Sequence, residues 1–416
     1  MSEAGFLEKL LNGAEVAWVP LSDIAEYSPT RISSELLNES NYVGVDNLLQ
    51  NRAGRVDSNY VPTSGNLTEY HKGDVLIANI RPYLRKIWLA DRRGGTNGDV
   101  LVVRPTNNVV DPRYLYQVLT DENFFEYNIQ HSKGAKMPRG SKSHILKFLI
   151  PIPCPEDPQK SLAIQGEIVR ILDTFTELTA ELTAELNQRK KQYNHYRDRL
   201  LRFEGGNIEW KRLDEIGEFI RGKRFTKADY VDEGIGAIHY GEIYTHYGVF
   251  AHKTLSKVRS DMAASLRYAE PNDVVIAGVS ETIEDVGKAV AWLGEEKVAI
   301  HDDSYAFRHN MNPKFIAYAM QTDAFHDQKA KYVSSGKIKR LLINGVKNVR
   351  LPVPYPDDPT KSLEEQARIV AILDKFDTLT TSISEGLPRE IELREKQYAF
   401  YRDQLLSFPR PDAEAV

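Results

Sequence analysis

Ile168-Val169-Arg170-Ile171-Leu172-Asp173-Thr174-Phe175 returns 201 residues later as Ile369-Val370-Ala371-Ile372-Leu373-Asp374-Lys375-Phe376. Lys191-Gln192-Tyr193 with Tyr196-Arg197-Asp198 returns 205 residues later as Lys396-Gln397-Tyr398 with Tyr401-Arg402-Asp403. Upstream, Pro151-Ile152-Pro153 matches Pro352-Val353-Pro354, Asp111-Pro112-Arg113-Tyr114 matches Asn312-Pro313-Lys314-Phe315, and Gly73-Asp74-Val75-Leu76-Ile77 matches Asn272-Asp273-Val274-Val275-Ile276. Trp18 and Trp210 open the two copies. The chain is therefore a tandem repeat, to be read as one scaffold used twice. Between these anchors the copies differ almost completely, so a common framework carries two different surfaces.

Each copy reads as a globule followed by a long helix. Short apolar runs such as Val75–Ala78, Val100–Val103 and Val274–Ala277, punctuated by Gly, Asn and Pro, predict strands and a mixed α/β (α+β) globule. In the helical segment Ile164, Ile168, Ile171, Phe175, Leu178, Leu182, Leu186, Arg189, Tyr193, Tyr196, Leu200 and Phe203 recur at spacings of four and three, which is a coiled-coil stripe. Thr179-Ala180-Glu181-Leu182 is duplicated as Thr183-Ala184-Glu185-Leu186, a four-residue stutter. In the second helix Gly386 and Pro388 are placed as a stop and a first-turn proline, so a break or kink that absorbs four extra residues is expected near Leu387. For two such stripes to bury each other the second helix must run antiparallel to the first, giving a dumbbell with a rigid spacer. That sets the basic end of the first helix beside Asp374 and Asp377. Phe6–Leu11 before Trp18 resembles Leu200–Phe203 before Trp210, which suggests a circular pseudo-twofold.

The chain has 416 residues, enough for two to three domains, with a net charge of -5 and one cysteine, Cys154. No apolar run spans a bilayer, no secretory signal is visible, and a disulfide scaffold is excluded, so a cytoplasmic address is expected. Catalytic motifs fail on inspection. Asp111-Pro112-Arg113-Tyr114 and its partner at Asn312 lack the second proline of an amino-methyltransferase loop and read better as capped helix starts. Pro155-Glu156-Asp157 and Pro356-Asp357-Asp358 have no following Glu-x-Lys and read as linkers rather than a nuclease site. Gly287-Lys288 is not a phosphate loop, and His239, His246 and His252 have no metal-ligand spacing. Neither a catalytic residue nor a cofactor or metal site is expected.

The positive signal is basic. His131 to Lys147 carries Lys133, Lys136, Arg139, Lys142 and Lys147 without an acid, and Gln328 to Arg350 carries Lys329, Lys331, Lys337, Lys339, Arg340, Lys347 and Arg350 likewise. Paired acid-free stretches in an acidic protein suit phosphate contact. Just after matching strands the copies diverge, Asn79 to Lys86 against Gly278 to Asp285. Such loops are where bases would be read, Arg suiting guanine and Glu or Asp suiting cytosine. The candidate DNA-binding residues are Arg81, Tyr83, Arg85, Lys86, Lys136, Arg139 and Lys142 in the first copy. In the second they are Arg221, Lys223, Arg224, Ser280, Thr282, Lys337, Lys339 and Arg340.

Over nearly its full length the chain resembles the specificity subunit of type I restriction-modification enzymes, on Ile168 to Asp173, Thr179 to Leu186 and Lys191 to Asp198. The resemblance implies target-recognition domains at 1–161 and 205–362, constant helices at 162–204 and 363–408, and a flexible tail at 409–416. Each recognition domain would read one half of an interrupted sequence in double-stranded DNA. Two modification subunits that methylate adenine would dock beside the helices, and two restriction subunits would complete the nuclease. S-adenosylmethionine, ATP and Mg would belong to those partners. A self-contained adenine methyltransferase or nuclease, or a purely structural coiled-coil adaptor, are the alternatives. The first two lack their motifs, and the third leaves the divergence of the globules unexplained.

Overall fold

The computed structural model describes residues 6–203, 205–382 and 384–409. The tail expected at 409–416 lies, apart from Pro409, outside the described residues. The chain divides into two compact units, one taking in the residues up to Ala180 and from Leu393 onward, the other Glu181–Glu392. The boundary falls inside the duplicated tetrapeptide. Each unit thus holds the start of one long helix and the end of the other, which is the partition an antiparallel pairing requires.

In the first unit a four-stranded antiparallel sheet runs in the order Ala25–Tyr27, Val100–Pro105, Val75–Ala78, Ile87–Leu89. In the second, Gly217–Arg221, Ser304–His309, Val274–Ala277, Ala289–Trp292 and Phe250–Ala251 follow the same plan with one strand added. The unbroken apolar runs have a simple cause: side chains alternate across a sheet buried on both faces. Val75 and Ile77 pack toward the helices, Leu76 and Ala78 into a second core with Tyr70 and Trp88. Val274 and Ile276 against Val275 and Ala277 repeat the division. A second four-stranded sheet completes each globule: Arg31–Ser33, Asn66–Tyr70, Gly94–Thr96 and Tyr42–Val43 in one, and Ser256–Val258, Tyr230–Ile238, Val298–Ile300 and Tyr268–Ala269 in the other.

The repeated motifs turn out to be joints. Gly73 and Asn272 adopt positive φ (93° and 74°), and the aspartates that follow are buried. Asp74 pairs with Arg104 at 2.7 Å and Asp273 with Arg308 at 3.0 Å. Asp111 caps helix Pro112–Leu119 and Asn312 caps Pro313–Ala319, each with proline in the first turn. Asp157 and Asp358 accept from the backbone of Lys160 and Lys361 at the starts of the long helices. Trp18 and Trp210 sit opposite Pro151 and Pro352 in matching two-stranded ladders.

The central helix is continuous from Pro158 to Arg202 through the stutter. The distal one breaks into Pro359–Thr381 and Leu387–Leu406, with Gly386 at φ 84°. The expected stripe is modified where the helices meet the globules. Val169, Leu172, Arg197 and Leu201 are buried, while Tyr196 is 41% exposed. A helix end that faces both a globule and a second helix buries a wider arc than a two-helix seam. Ile168, Val169 and Leu172, fully buried, each contribute roughly 1.5–3 kcal/mol. Phe175 stacks on Tyr401 at 5.1 Å in the first unit, and Tyr196 on Phe376 at 5.5 Å in the second. Phe6–Leu11 is helical, with Leu7 and Leu11 in the core that also contains Leu405 and Phe408.

One fastening was missed in the sequence. Gln165 and Gln366, both buried, accept from the backbone N–H of Asp111 (2.9 Å) and Asn312 (2.8 Å) and donate to Ser161 and Ser362 at 3.0 Å. Ser-x-x-x-Gln at the start of both helices was the available signal. Asp173 then accepts from Gln117, and Asp374 from Tyr318 and Lys314, so the repeated Ile-Leu-Asp docks each helix on its globule.

Candidate nucleic-acid interface

In the first globule the loop leaving strand Val75–Ala78 is bent by two left-handed arginines, Arg81 (φ 52°) and Arg85 (φ 51°), around a short turn at Pro82–Leu84. Such a conformation is costly for residues with a Cβ and needs support. The N–H of Arg81 donates to Pro138 O at 2.7 Å, and the N–H of Arg52 to Arg85 O at 2.9 Å. Glu122 then receives Arg85 at 2.7 Å and Arg52 at 2.8 Å. Lys86 donates to Val45 O at 2.8 Å. Of the four candidates here, Arg81 and Tyr83 are exposed, whereas Arg85 and Lys86 are half-buried, Arg85 pairing with Glu122 and Lys86 bonding Val45 O, contacts that hold the loop. Arg81 edges an open cleft of about 810 Å³ that Tyr42, Asn47, Tyr60, Asp99 and Met137 also line. None of these aromatic or amide groups was singled out from the sequence.

The basic loop lies against this one. Lys133 and Arg139 exchange backbone hydrogen bonds at 2.9 Å, closing a tight loop around Gly134 (φ 105°), and Ile80 bridges Arg139. Lys136, Met137 and Arg139 are exposed at its end, and Arg139 pairs with Asp99 at 3.2 Å. Lys142, also exposed, starts the short helix Lys142–Ile145.

The second globule repeats the pairing. Val279 and Ser280 form a two-residue ladder with Arg340 and Lys339, and Arg340 pairs with Asp303 at 3.1 Å. Lys337 is exposed beside Ile338, which is 54% exposed, as Met137 is at 47%. An exposed large apolar side chain between bases, at matching places, was a signal left unused. Arg221 donates to Asp302 O at 3.0 Å, next to the Asp303 that Arg340 engages, while Lys223 and Arg224 are exposed nearby in sequence. Thr282 and Asp285 bond to each other, the hydroxyl to Oδ2 at 2.7 Å and the Asp285 N–H back to Oγ1 at 3.1 Å.

One member of the second basic stretch is internal, and a second, Arg350, is exposed but tied to the backbone. Lys329 is fully buried, and burial pushes its ammonium down to about 8. The Arg350 guanidinium donates to Trp210 O at 2.8 Å. The stretch is thus less available to phosphate than its composition suggested, because helix Asp323–Lys329 turns one of its lysines into the core.

For metals, His301, Asp302 and Asp303 are the cluster with ligand geometry among the described residues. Asp303 is already engaged by Arg340, and His301 Nδ1 accepts from the Asp303 N–H. His239 caps helix Tyr240–Thr245 by accepting from Gly241 N–H at Nδ1, and His252 Nδ1 bonds Leu293 O.

The model of the type I restriction modification DNA specificity domain matches this chain twice, over residues 15–191 and 206–393. The chain belongs to that family. It is a type I restriction-modification specificity subunit with two tandem recognition domains. It is 34% identical over 429 residues to the EcoR124I/EcoR124II specificity subunit of Escherichia coli, covering 99% of each chain. In fold it is similar to a chain from a study of assembly and conformational transition in a type I restriction-modification system, at TM-score 0.61, 18% identity and coverage of 94% and 97%. It is also similar to the specificity subunit of M. genitalium, at TM-score 0.52, 14% identity and coverage of 96% and 98%. No helix among the described residues is long and apolar enough to cross a membrane.

Proposed function

We propose that each globule of this specificity subunit reads one half of a bipartite, interrupted sequence in double-stranded DNA, with the helices setting the gap. One observation carries this: in both globules a divergent loop and a basic loop, far apart in sequence, are hydrogen-bonded neighbours on the same scaffold. Arg81 and Tyr83, and Ser280 and Thr282 with their loop, would face bases. Lys136, Arg139, Lys142, Arg221, Lys223, Arg224, Lys337, Lys339 and Arg340 would position phosphates, since charge fixes register while base edges specify. The constant helices would dock two modification subunits, and two restriction subunits would complete a cytoplasmic nuclease. S-adenosylmethionine, ATP and Mg would be bound by those partners, and this chain would be non-catalytic.

Mapping methylated adenines in a host carrying the complete system tests the reading: two fixed half-sites separated by a constant gap are expected. A single uninterrupted site would overturn it. Methyl transfer from labelled donor to DNA by the purified chain alone would overturn the non-catalytic assignment.

A further inference from the structure

Lys329 is the last residue of helix Asp323–Lys329 and is wholly buried. Its Nζ donates to two backbone carbonyls, Glu284 O and Val286 O, both at 2.6 Å. Both belong to the loop that follows Val279–Ser280. Among the described residues no carboxylate bonds the ammonium; Glu284 and Asp285 act on it only through space. Beside it stand the Phe325 ring, with Nζ 5.7 Å from its centroid, and His326, both on its own helix. Gly287 (φ 87°) lies over the lysine stem, where a Cβ would stand 3.5 Å from Lys329 Cδ and 3.0 Å from Leu341. Burying an ammonium is expensive, and two short bonds to carbonyls at one bend of one loop are the return on it. Asn128, which stands 201 residues earlier, has no comparable grip: it is buried, and neither of its amide atoms finds a partner.

We propose that Lys329 is the positioning residue of the second recognition loop, fixing the bend at Glu284–Val286 so that Ser280 to Asp285 meet the DNA in one conformation. The proposal rests on the reading that this loop faces bases. It makes Lys329 a determinant of one half-site without touching DNA.

The assay uses the assembled modification complex and DNA carrying the mapped site, with either half-site altered, at pH 6.5 to 9.5. In the Lys329→Met complex, discrimination against alteration of the second globule's half-site should fall by about tenfold or more. Discrimination at the other half-site and the salt dependence of binding should stay as they are. Lys329→Arg, which keeps charge and donors, should restore part of the loss.

Wild-type protein supplies an independent reading that needs no variant. Because the ammonium loses its proton near pH 8, half-site discrimination should decline as pH rises through that value. Linkage gives global stability the opposite sign: above 8 the unfolded lysine still holds the proton that the folded one has released, up to its ordinary 10.5, so this group's contribution rises with pH. A merely structural lysine would move both together. Unchanged discrimination in Lys329→Met with a flat wild-type profile would refute the clamp, and equal loss at both half-sites would refute its confinement to one loop. If the wild-type complex showed no half-site discrimination at all, the failure would lie with the proposed function.

Discussion

Adding a third Thr-Ala-Glu-Leu after Leu186 would lengthen the central helix, now 45 residues, by four. At ~1.5 Å and ~100° per residue this is ~6 Å of length and ~400° of turn, leaving the distal part of the stripe ~40° out of phase. The structure makes that shift tolerable. Between Leu172 and Tyr193 no residue of the helix is buried, and Leu178, Leu182, Leu186 and Arg189 are only half-buried. A rotation of ~40° puts at risk roughly 1 kcal/mol per half-buried leucine. The buried contacts at Ile168, Val169 and Leu172, and at Tyr193 and Leu201, each stay with their own globule. One base pair rises ~3.4 Å, so 6 Å corresponds to between one and two base pairs. Helix tilt and the unchanged partner helix should bring the change nearer one. Adenine-methylation mapping of the insertion variant should therefore show the same half-sites with a longer gap. An unchanged gap, or altered bases within either half-site, would mean that the helix is not the spacer.

Three further outcomes are expected. Lys136→Ala or Lys337→Ala should weaken binding to all sequences and lower the salt slope by about one unit, whereas Arg81→Ala should change preference at one half-site by about 1–3 kcal/mol; equal, uniform losses would refute this division. Gln366→Ala leaves the Asn312 N–H without its acceptor and opens a cavity, so urea unfolding should register a loss of about 2 kcal/mol, and a loss below ~0.5 would show that the glutamine is not a fastening. His309 is pushed down to about 4 by burial, its Nε2 having no partner and its Nδ1 accepting from the Met311 N–H. The unfolded histidine takes a proton first, so stability should fall as pH drops from about 6.5 toward 4; His309→Asn should flatten that slope in pH-dependent melts, and an unaltered slope would place its origin elsewhere.

The scaffold was legible because its joints are local. A capping Asp or Asn before proline, a left-handed residue before a buried Asp, and an apolar stripe at helical spacing are each written in consecutive residues, and each recurs. The double-sided burial of Val75–Ala78 was also implicit in its lack of alternation. What could not be read was partnership across sequence distance. Arg85 and Lys86 look as available as Arg81 until Glu122 and Val45 are brought beside them, 37 and 41 residues away. Lys329 looks like its neighbours Lys331 and Lys337, because composition does not say which side of a short helix faces the core. The aromatic cleft of the first globule gathers Tyr42, Tyr60 and Arg81 from three separate segments, and no spacing rule joins them.

The two divergent loops face one mechanical problem and meet it from equivalent helices in opposite ways. Their beginnings are fixed alike, by the strand beneath and by pairing with the basic loop, a single bridge in the first and a two-residue ladder in the second, with Arg139–Asp99 matching Arg340–Asp303. Their interiors are not. The shorter loop is held by an anion in the first turn of helix Glu122–Gln130, where Glu122 gathers two arginines, Arg52 and Arg85, both left-handed. The longer loop is held by a cation in the last turn of helix Asp323–Lys329, where Lys329 gathers two carbonyls. A carboxylate at a helix start and an ammonium at a helix end are the placements the helix dipole favours, so each grip is supported by the element that carries it. Side-chain charge can only be gripped by changing the loop's sequence to suit, whereas carbonyls are present whatever the sequence. Substitutions at the exposed positions 281, 283 and 284, which spare the Thr282–Asp285 bonds, should therefore leave the second loop's bend intact, while the first loop keeps its bend only with arginine at 85. The second globule should accordingly be the one whose specificity is rewritten by loop substitution alone: grafting new residues at 281 and 283 with Thr282, Asp285 and Lys329 retained is expected to give a complex that methylates at a new half-site. The same exchange across 81–85 should yield one with neither the old specificity nor a new one.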